Sequence, residues 1–449
     1  MQPVTAAAAS RRTVLDMDRY QWTVLLAAWL GWGFDVFDSL LFNYVAPNAV
    51  PSLLGIPRGT PAAAAATLQW TGILTSVLLV GWAIGGVIFG RVADRIGRTR
   101  TLLLTMALYS LGTAACAFAP NIWVLLLFRT LAALGIGGEW AAGAAMVAEV
   151  VPEKRRVEAG ALLYTSASVG LFLATFITFQ IQGVFFAGTP DVSWRYVLLF
   201  GLLPAFVALA VRMFVKEPER WKQMAGKVKP PTIGDLFAPE YLRVTLTAFG
   251  LALTALIMWW SCNAFIPVIA SGLASRAAAA MSLAPAEATL MIEQWKATAT
   301  NMFNLGGLIG TLLTIPASKL LGRRTMYTIY FVGSAAALMA AFGIEMDPYT
   351  RLYMYFPIGL TVFGVFGSFT YYLPELYPTR LRGTGPGFTY NIGRLVAAVG
   401  PFLVGAIAAR GANALDTAMQ VLFYVGFVPV LGLLVVPFAL ETRNRVLVD

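Results

Sequence analysis

Twelve stretches of this chain are each apolar enough, and near enough to 20 residues long, to cross a bilayer. No other feature limits the fold so tightly. In lipid every backbone N–H and C=O must be satisfied within its own helix or within a closed barrel, and stretches of this length are helices. They lie near residues 22–50, 67–90, 99–118, 121–150, 157–187, 193–215, 244–270, 295–317, 325–343, 352–373, 383–409 and 415–440. Composition agrees. Charged residues make up 12% of the chain, about half the share of an ordinary soluble domain. The expectation is an all-α membrane protein, with the lipid bilayer as its surroundings.

The polar segments order these helices. Residues 1–19 read as a short tail without the apolar core and cleavage site of a signal peptide. Residues 216–243 are rich in charge and proline and read as a linker between helical regions 20–215 and 244–440, and 441–449 form a second tail. Of the 32 Lys and Arg residues, 24 fall in the tails and the loops on their side, 6 in the opposite loops, among them Lys296, and two, Arg129 and Arg394, inside helices. The positive-inside rule puts both termini in the cytoplasm of a multi-pass plasma (inner) membrane protein. The same bias accounts for the net charge of +10 without a nucleic-acid partner. Cys116 and Cys262 both fall in apolar helices, so no disulfide is expected.

The two halves repeat. Glu149, Pro152, Arg156 and Tyr164 recur as Glu375, Pro378, Arg382 and Tyr390, each displaced by 226, and Gly97 and Arg98 recur as Gly322 and Arg323, displaced by 225. A parallel repeat of two six-helix bundles is one way to build an alternating-access transporter with its substrate between the halves. Helices 1, 4, 7 and 10 are expected to face the central cavity.

Ionisable residues inside membrane helices mark function more often than not. Asp35 and Asp38 lie mid-helix in WLGWGFDVFDSLLFNYVAP and share one face. Glu139 falls at a similar depth in helix 4. As neighbouring carboxylates they resist ionising together. They are candidates for proton coupling, or for a buried structural ion pair. The chain has no histidine, so a proton relay must use carboxylates. Arg129 and Arg394 can hold an anion through two hydrogen bonds, or be consumed by Asp35, Asp38 or Glu139. Asn263 and Tyr390 join them as candidate substrate contacts. Trp32, Trp82, Trp140, Trp259 and Trp260 suit either a pocket for a ring or plain packing. No nucleophile or metal constellation appears, so an enzyme is not expected. Nor is any cofactor, beyond the proton as coupling ion.

GRVADRIGR, from Gly90 to Arg98, matches the G-x-x-x-D-R-x-G-R signature between helices 2 and 3 of the major facilitator superfamily. The resemblance implies twelve transmembrane helices in two pseudo-symmetric six-helix bundles. It also implies gating roles for Gly90, Asp94, Arg95, Gly97, Arg98, Glu149, Arg156, Glu375 and Arg382. The second copy is eroded, with Lys319 where Asp94 would align, so a clamp of this kind is expected to be stronger in the N-terminal half. DVFD, GGEW and PELYPTRLRGTGPGFTYNIGR resemble the sialate and monocarboxylate:proton symporters, and DVFD also resembles the aromatic-acid:proton symporters. WWSCNAF departs from the helix-7 signature of the fungal monocarboxylate permeases, and helix 5 lacks the glycine-proline signature of drug:proton antiporters. The resemblance implies a monomeric proton-coupled symporter importing a small organic anion. The alternative is an exporter or uniporter of another metabolite, sugar or drug.

Overall fold

The computed structural model describes residues 17–96, 98–152, 155–206, 232–378, 381–382 and 384–443. Helix α1 (Arg19–Leu54) opens with a capping box. The Asp18 side chain accepts from the Gln21 N–H, and the Gln21 side chain returns to the Asp18 N–H. It closes at Gly55, whose φ of +66° suits a residue without Cβ. Then come α2 (Pro61–Ile96), α3 (Arg98–Cys116), α4 (Ile122–Val150), α5 (Arg156–Thr178, prolonged by a π turn Phe179–Phe185) and α6 (Pro190–Leu199). The second set is α7 (Pro239–Asn263 and Ile266–Ala280), α8 (Pro285–Pro316, prolonged by a π turn Ala317–Leu321) and α9 (Arg323–Gly343). It ends with α10 (Pro348–Tyr353 to Phe366–Glu375, with a π turn Gly359–Phe363 inside), α11 (Thr384–Ala397 and Val399–Arg410) and α12 (Ala414–Val425 and Val428–Val435). No strand occurs among the described residues.

Eight of these helices are long and apolar enough to cross a membrane by themselves. Helices α3 and α4 contribute shorter apolar runs, Leu103–Cys116 and Ile122–Gly137. Helix α8 carries Glu287, Glu293 and Lys296, and α6 is described only to residue 206. Three expectations shift. Helix α7 starts at Pro239, inside the stretch read as linker, and is broken at residues 264–265. Helix α8 starts ten residues before the expected 295. Lys296, counted with the loops, is therefore a buried helical residue, 2% exposed.

Apolar residues on every face mark a helix enclosed by others. Every residue from Asp35 to Ala46 is buried, so α1 runs through the interior. Only 28% of the apolar window of α12 is buried, so α12 is peripheral. Small residues let the neighbours close in. A Cβ on Gly170 of α5 would stand 2.0 Å from the Gly33 carbonyl oxygen of α1. Gly135 sits against Tyr109 and Thr105 of α3. The N- and C-terminal helices meet along two seams. In one, α2 faces α11, where a Cβ on Gly72 would lie 2.5 Å from the Pro401 carbonyl oxygen and one on Gly405 2.6 Å from that of Leu68. In the other, α5 faces α8 and α10.

Candidate functional site

Asp38 is fully buried among N-terminal helices. Thr113 of α3 donates to its Oδ2 at 2.7 Å, and Arg129 of α4 brings Nη1 to 3.9 Å from the same oxygen. That guanidinium also donates to the carbonyl oxygens of Asp38 (3.2 Å) and Ser39 (2.5 Å) and to Thr113 Oγ1 (3.3 Å). Mid-helix carbonyls are normally occupied by their own ladder. Arg129 thus staples α4 to α1 and α3. Both of its Nη groups are turned onto protein oxygens, and it does not line the central pocket. The expected substrate role of Arg129 is therefore moved to a structural ion pair with Asp38, one of the two outcomes its buried position left open.

The pocket lies between the halves. Its walls are Trp32, Val36, Ser39 and Leu40 of α1, Trp82 of α2, Tyr164 and Ala167 of α5, Leu256, Trp259 and Trp260 of α7, Phe366 of α10, and Tyr390 and Arg394 of α11. The rings form one connected cage. Trp32 and Trp82 centroids are 6.2 Å apart, Trp82 and Trp260 5.9 Å, Trp259 and Trp260 4.6 Å, and Tyr164 stacks on Phe366 at 6.0 Å. Tyr164 and Tyr390, the repeat pair of the sequence, meet here from opposite halves and interact. Among the described residues α4 lends the pocket nothing, while α2, α5 and α11 do. Of the expected helices 1, 4, 7 and 10, helices 1, 7 and 10 line the pocket, and the side chains 138–146 of helix 4 lie outside the described residues.

Arg394 is the charged side chain of this lining. Its guanidinium lies 4.0 Å from the Trp82 ring centroid and 4.5 Å from that of Tyr390. Both rings attract a cation through their π faces. Nη1 also donates to Asn391 Oδ1 at 3.3 Å. Asp35, fully buried one turn before Ser39, acts on the Arg394 charge. The two aspartates of DVFD therefore divide. Asp38 serves a pair inside the N-terminal half, and the Asp35 charge acts on an arginine of the C-terminal half. Asn263, 4% exposed at the end of the first α7 segment, is not part of the pocket lining.

At the end that bears the termini, charges form a second system. Arg323, the repeat partner of Arg98, holds Glu375 with Nη2 at 2.9 and 3.1 Å from the two carboxylate oxygens. Thr442 donates to the same carboxylate at 2.6 Å. Arg156 of α5 acts on Glu375 from the other half. Arg382 is half-buried with partners of its own. Glu441 caps α9, accepting the backbone N–H groups of Arg323, Arg324 and Arg443 at 3.0, 3.1 and 3.0 Å. Burial works to raise the Glu441 carboxyl, yet these donors and Arg323 outweigh it and hold it below the ordinary glutamate value. Gly322, with φ +89°, turns the chain into that cap. The C-terminal clamp is thus formed, while the N-terminal side chains it would be compared with lie outside the described residues. Lys319, standing where Asp94 would align, crosses to Glu158 of α5 at 2.5 Å. Neither Lys319, Glu158 nor Arg323 is recognisable as a gate from spacing alone, because their partners come from helices distant in sequence.

Gly97 lies outside the described residues, as do the side chains of Gly90, Asp94, Arg95, Arg98, Glu139, Trp140 and Glu149.

Residues 22–401 match the model of the Major Facilitator Superfamily. A probable 4-methylmuconolactone transporter of Cupriavidus pinatubonensis is 28% identical, over 93% of this chain and 90% of its own. A sialic acid transporter of Escherichia coli is 27% identical over 84% and 85%. A crystal structure of a D-xylose-proton symporter shares the fold with a TM-score of 0.71 and 17% identity, covering 95% of this chain and 100% of that one.

Proposed function

The chain belongs to the Major Facilitator Superfamily, a family of multi-pass membrane transporters and not of enzymes, and from that premise we propose that it is a proton-coupled symporter importing a small organic anion. The observation that carries this reading is Arg394. It is buried, lies over two aromatic rings, and belongs to a pocket otherwise walled by uncharged, mostly aromatic and aliphatic groups. The two rings hold the guanidinium close, and a carboxylate matches its N–H edge with two parallel hydrogen bonds. The ring cage suits the apolar body of the same molecule. Relatives named for 4-methylmuconolactone and for sialic acid point to the same class of cargo.

Coupling follows from charge balance. When a substrate carboxylate takes Arg394, Asp35 loses its cationic neighbour. An uncompensated carboxylate is costly in the membrane interior, so Asp35 takes a proton as substrate binds, and proton and anion move together. Asp38, held by Arg129 and Thr113, stands three residues away and sets the field in which Asp35 titrates. The loop charge bias sets both termini in the cytoplasm of the plasma membrane.

The test is uptake into proteoliposomes of radiolabelled benzoate, its hydroxylated derivatives and sialate, with the lumen made alkaline. Accumulation above the external concentration and above that in protein-free liposomes, abolished by a protonophore, is expected for at least one of them. Uptake that only equilibrates, and ignores the pH gradient, would leave a uniporter.

A further inference from the structure

Glu293 and Lys296 form an ion pair that the mechanism above does not use. They are 1% and 2% exposed, stand one turn apart on α8, and bring Oε2 and Nζ to 2.6 Å. Two charges so deep in an apolar chain are expensive even when paired, and the surroundings say what they are for. Lys296 Nζ also donates to the Tyr44 carbonyl oxygen of α1 at 3.0 Å and to Gln182 Oε1 of α5 at 3.1 Å. Asn48 of α1 donates to Glu293 Oε1 at 3.3 Å. Among the described residues, every side-chain hydrogen bond the pair makes beyond itself therefore crosses from the C-terminal half to the N-terminal half. Gly183 admits the carboxylate stem, since a Cβ there would lie 3.0 Å from that of Glu293. One turn deeper, Thr175 of α5 donates to Thr300 of α8 at 3.2 Å.

The same two helices are bridged at their other ends by Lys319 and Glu158. Lys296 and Lys319 are separated by roughly 35 Å of α8 at about 1.5 Å per residue, and Gln182 and Glu158 by a similar length of α5. That is about the thickness of a bilayer. One seam is thus fastened at both membrane faces, with Tyr164, Ala167 and the pocket between the fastenings. In the conformation at hand both are closed.

We propose that Glu293 and Lys296, with Gln182, Tyr44 and Asn48, are the latch that seals the pocket on the side opposite the termini, and that it opens in alternation with the Lys319–Glu158 bridge. The design suits repeated opening. The two charges belong to one helix and stay paired when the halves part. The N-terminal half offers only neutral groups, which water replaces at little cost. The proposal rests on the transport reading of the pocket.

The test reads gating without substrate. In a Cys116→Ala, Cys262→Ala background, Thr300→Cys places a thiol just on the pocket side of the latch. A membrane-impermeant maleimide is added only from the side opposite the termini. Gln182→Leu, which leaves the ion pair whole but removes its cross-seam acceptor, is expected to speed labelling about tenfold. Glu293→Gln with Lys296→Met should do the same. Lys319→Gln, which frees the opposite bridge, should slow it several-fold. If the double variant does not fold, Gln182→Leu and Lys319→Gln decide alone. Equal labelling in those two, or a shift of both in one direction, overturns the latch. Because labelling needs no substrate, failure of carboxylate uptake would sink the transport reading and leave this result standing, and the reverse also holds.

Discussion

Arg129 and Arg394 are each 2% exposed, and sequence alone offers both the same two fates. Their partners separate them. Arg129 places both Nη groups on Asp38, Ser39 and Thr113, whereas Arg394 lies over two aromatic rings. Lysine keeps the charge at either site but loses the planar fork. Arg394→Lys is therefore expected to raise the KM for anion uptake about 10- to 100-fold, the loss of one to two charge-assisted hydrogen bonds, with little change in thermal stability. Arg129→Lys leaves buried carbonyls of α1 without their donor and should lower the Tm, with KM nearly unchanged in whatever protein folds. Parallel uptake kinetics and melting curves check both, and a reversed pattern would exchange the two roles. That either arginine is buried and purposeful is legible in the sequence. Which is which depends on the faces α4 and α11 present to their neighbours, and no local spacing records that.

At the scale of elements, spans were easy to read and their interruptions were not. Apolar length marks a helix wherever lipid demands one, but length alone passes over the prolines beside the interruptions: Pro267 follows the α7 break at residues 264–265, and Pro316 and Pro357 precede the π turns of α8 and α10. The polar start of α8 misleads for a plain reason. Glu287, Glu293 and Lys296 look like a loop until the pair is seen to neutralise itself. The repeat also runs deeper than the charged motifs that reveal it. Gly81 and Gly85 of α2 recur, displaced by 225, as Gly306 and Gly310 of α8. A Cβ on Gly85 would lie 2.1 Å from the Leu134 carbonyl oxygen of α4, and one on Gly310 2.0 Å from that of Leu360 in α10. Leu134 and Leu360 are themselves displaced by 226. Each half thus uses glycine to bring the same two helices together. Backbone cannot yield as a side chain can, so Gly85→Val and Gly310→Val should each cost about 1–3 kcal/mol or more, read as a lower Tm. Gly387→Ala, with nothing within 4 Å of the new Cβ, should melt at or slightly above the parent temperature. Equal melting of all three would show that the close approaches are not needed.

Coupling belongs to the whole molecule, because it compares two journeys of one pocket across the membrane. Substrate exchange at equal concentrations needs only the loaded carrier to alternate. Accumulation against a gradient also needs the proton to be carried with the load and released on the other side. The Asp35 charge acts on an arginine of the opposite half and the Asp38 charge on one of its own, so their neutralisation should differ in character. Asp35→Asn removes the group that competes for Arg394. It should abolish accumulation driven by pH alone while exchange persists at equal or tighter apparent affinity. Asp38→Asn should also lose accumulation, but it leaves the Arg129 charge buried without its counter-charge, so exchange should weaken together with thermal stability. Glu139→Gln in the same assay asks whether the third acid at this depth takes part. Asparagine and glutamine keep shape and some hydrogen bonding, so a defect in coupling can be told from a defect in folding. The decisive reading is the ratio of pH-driven accumulation to exchange, measured in the same vesicles for all three. If each variant still concentrates the anion when pH is the only driving force, none of these carboxylates is the coupling group. The proton must then enter by another route, and Arg394 would bind its anion without telling the rest of the molecule.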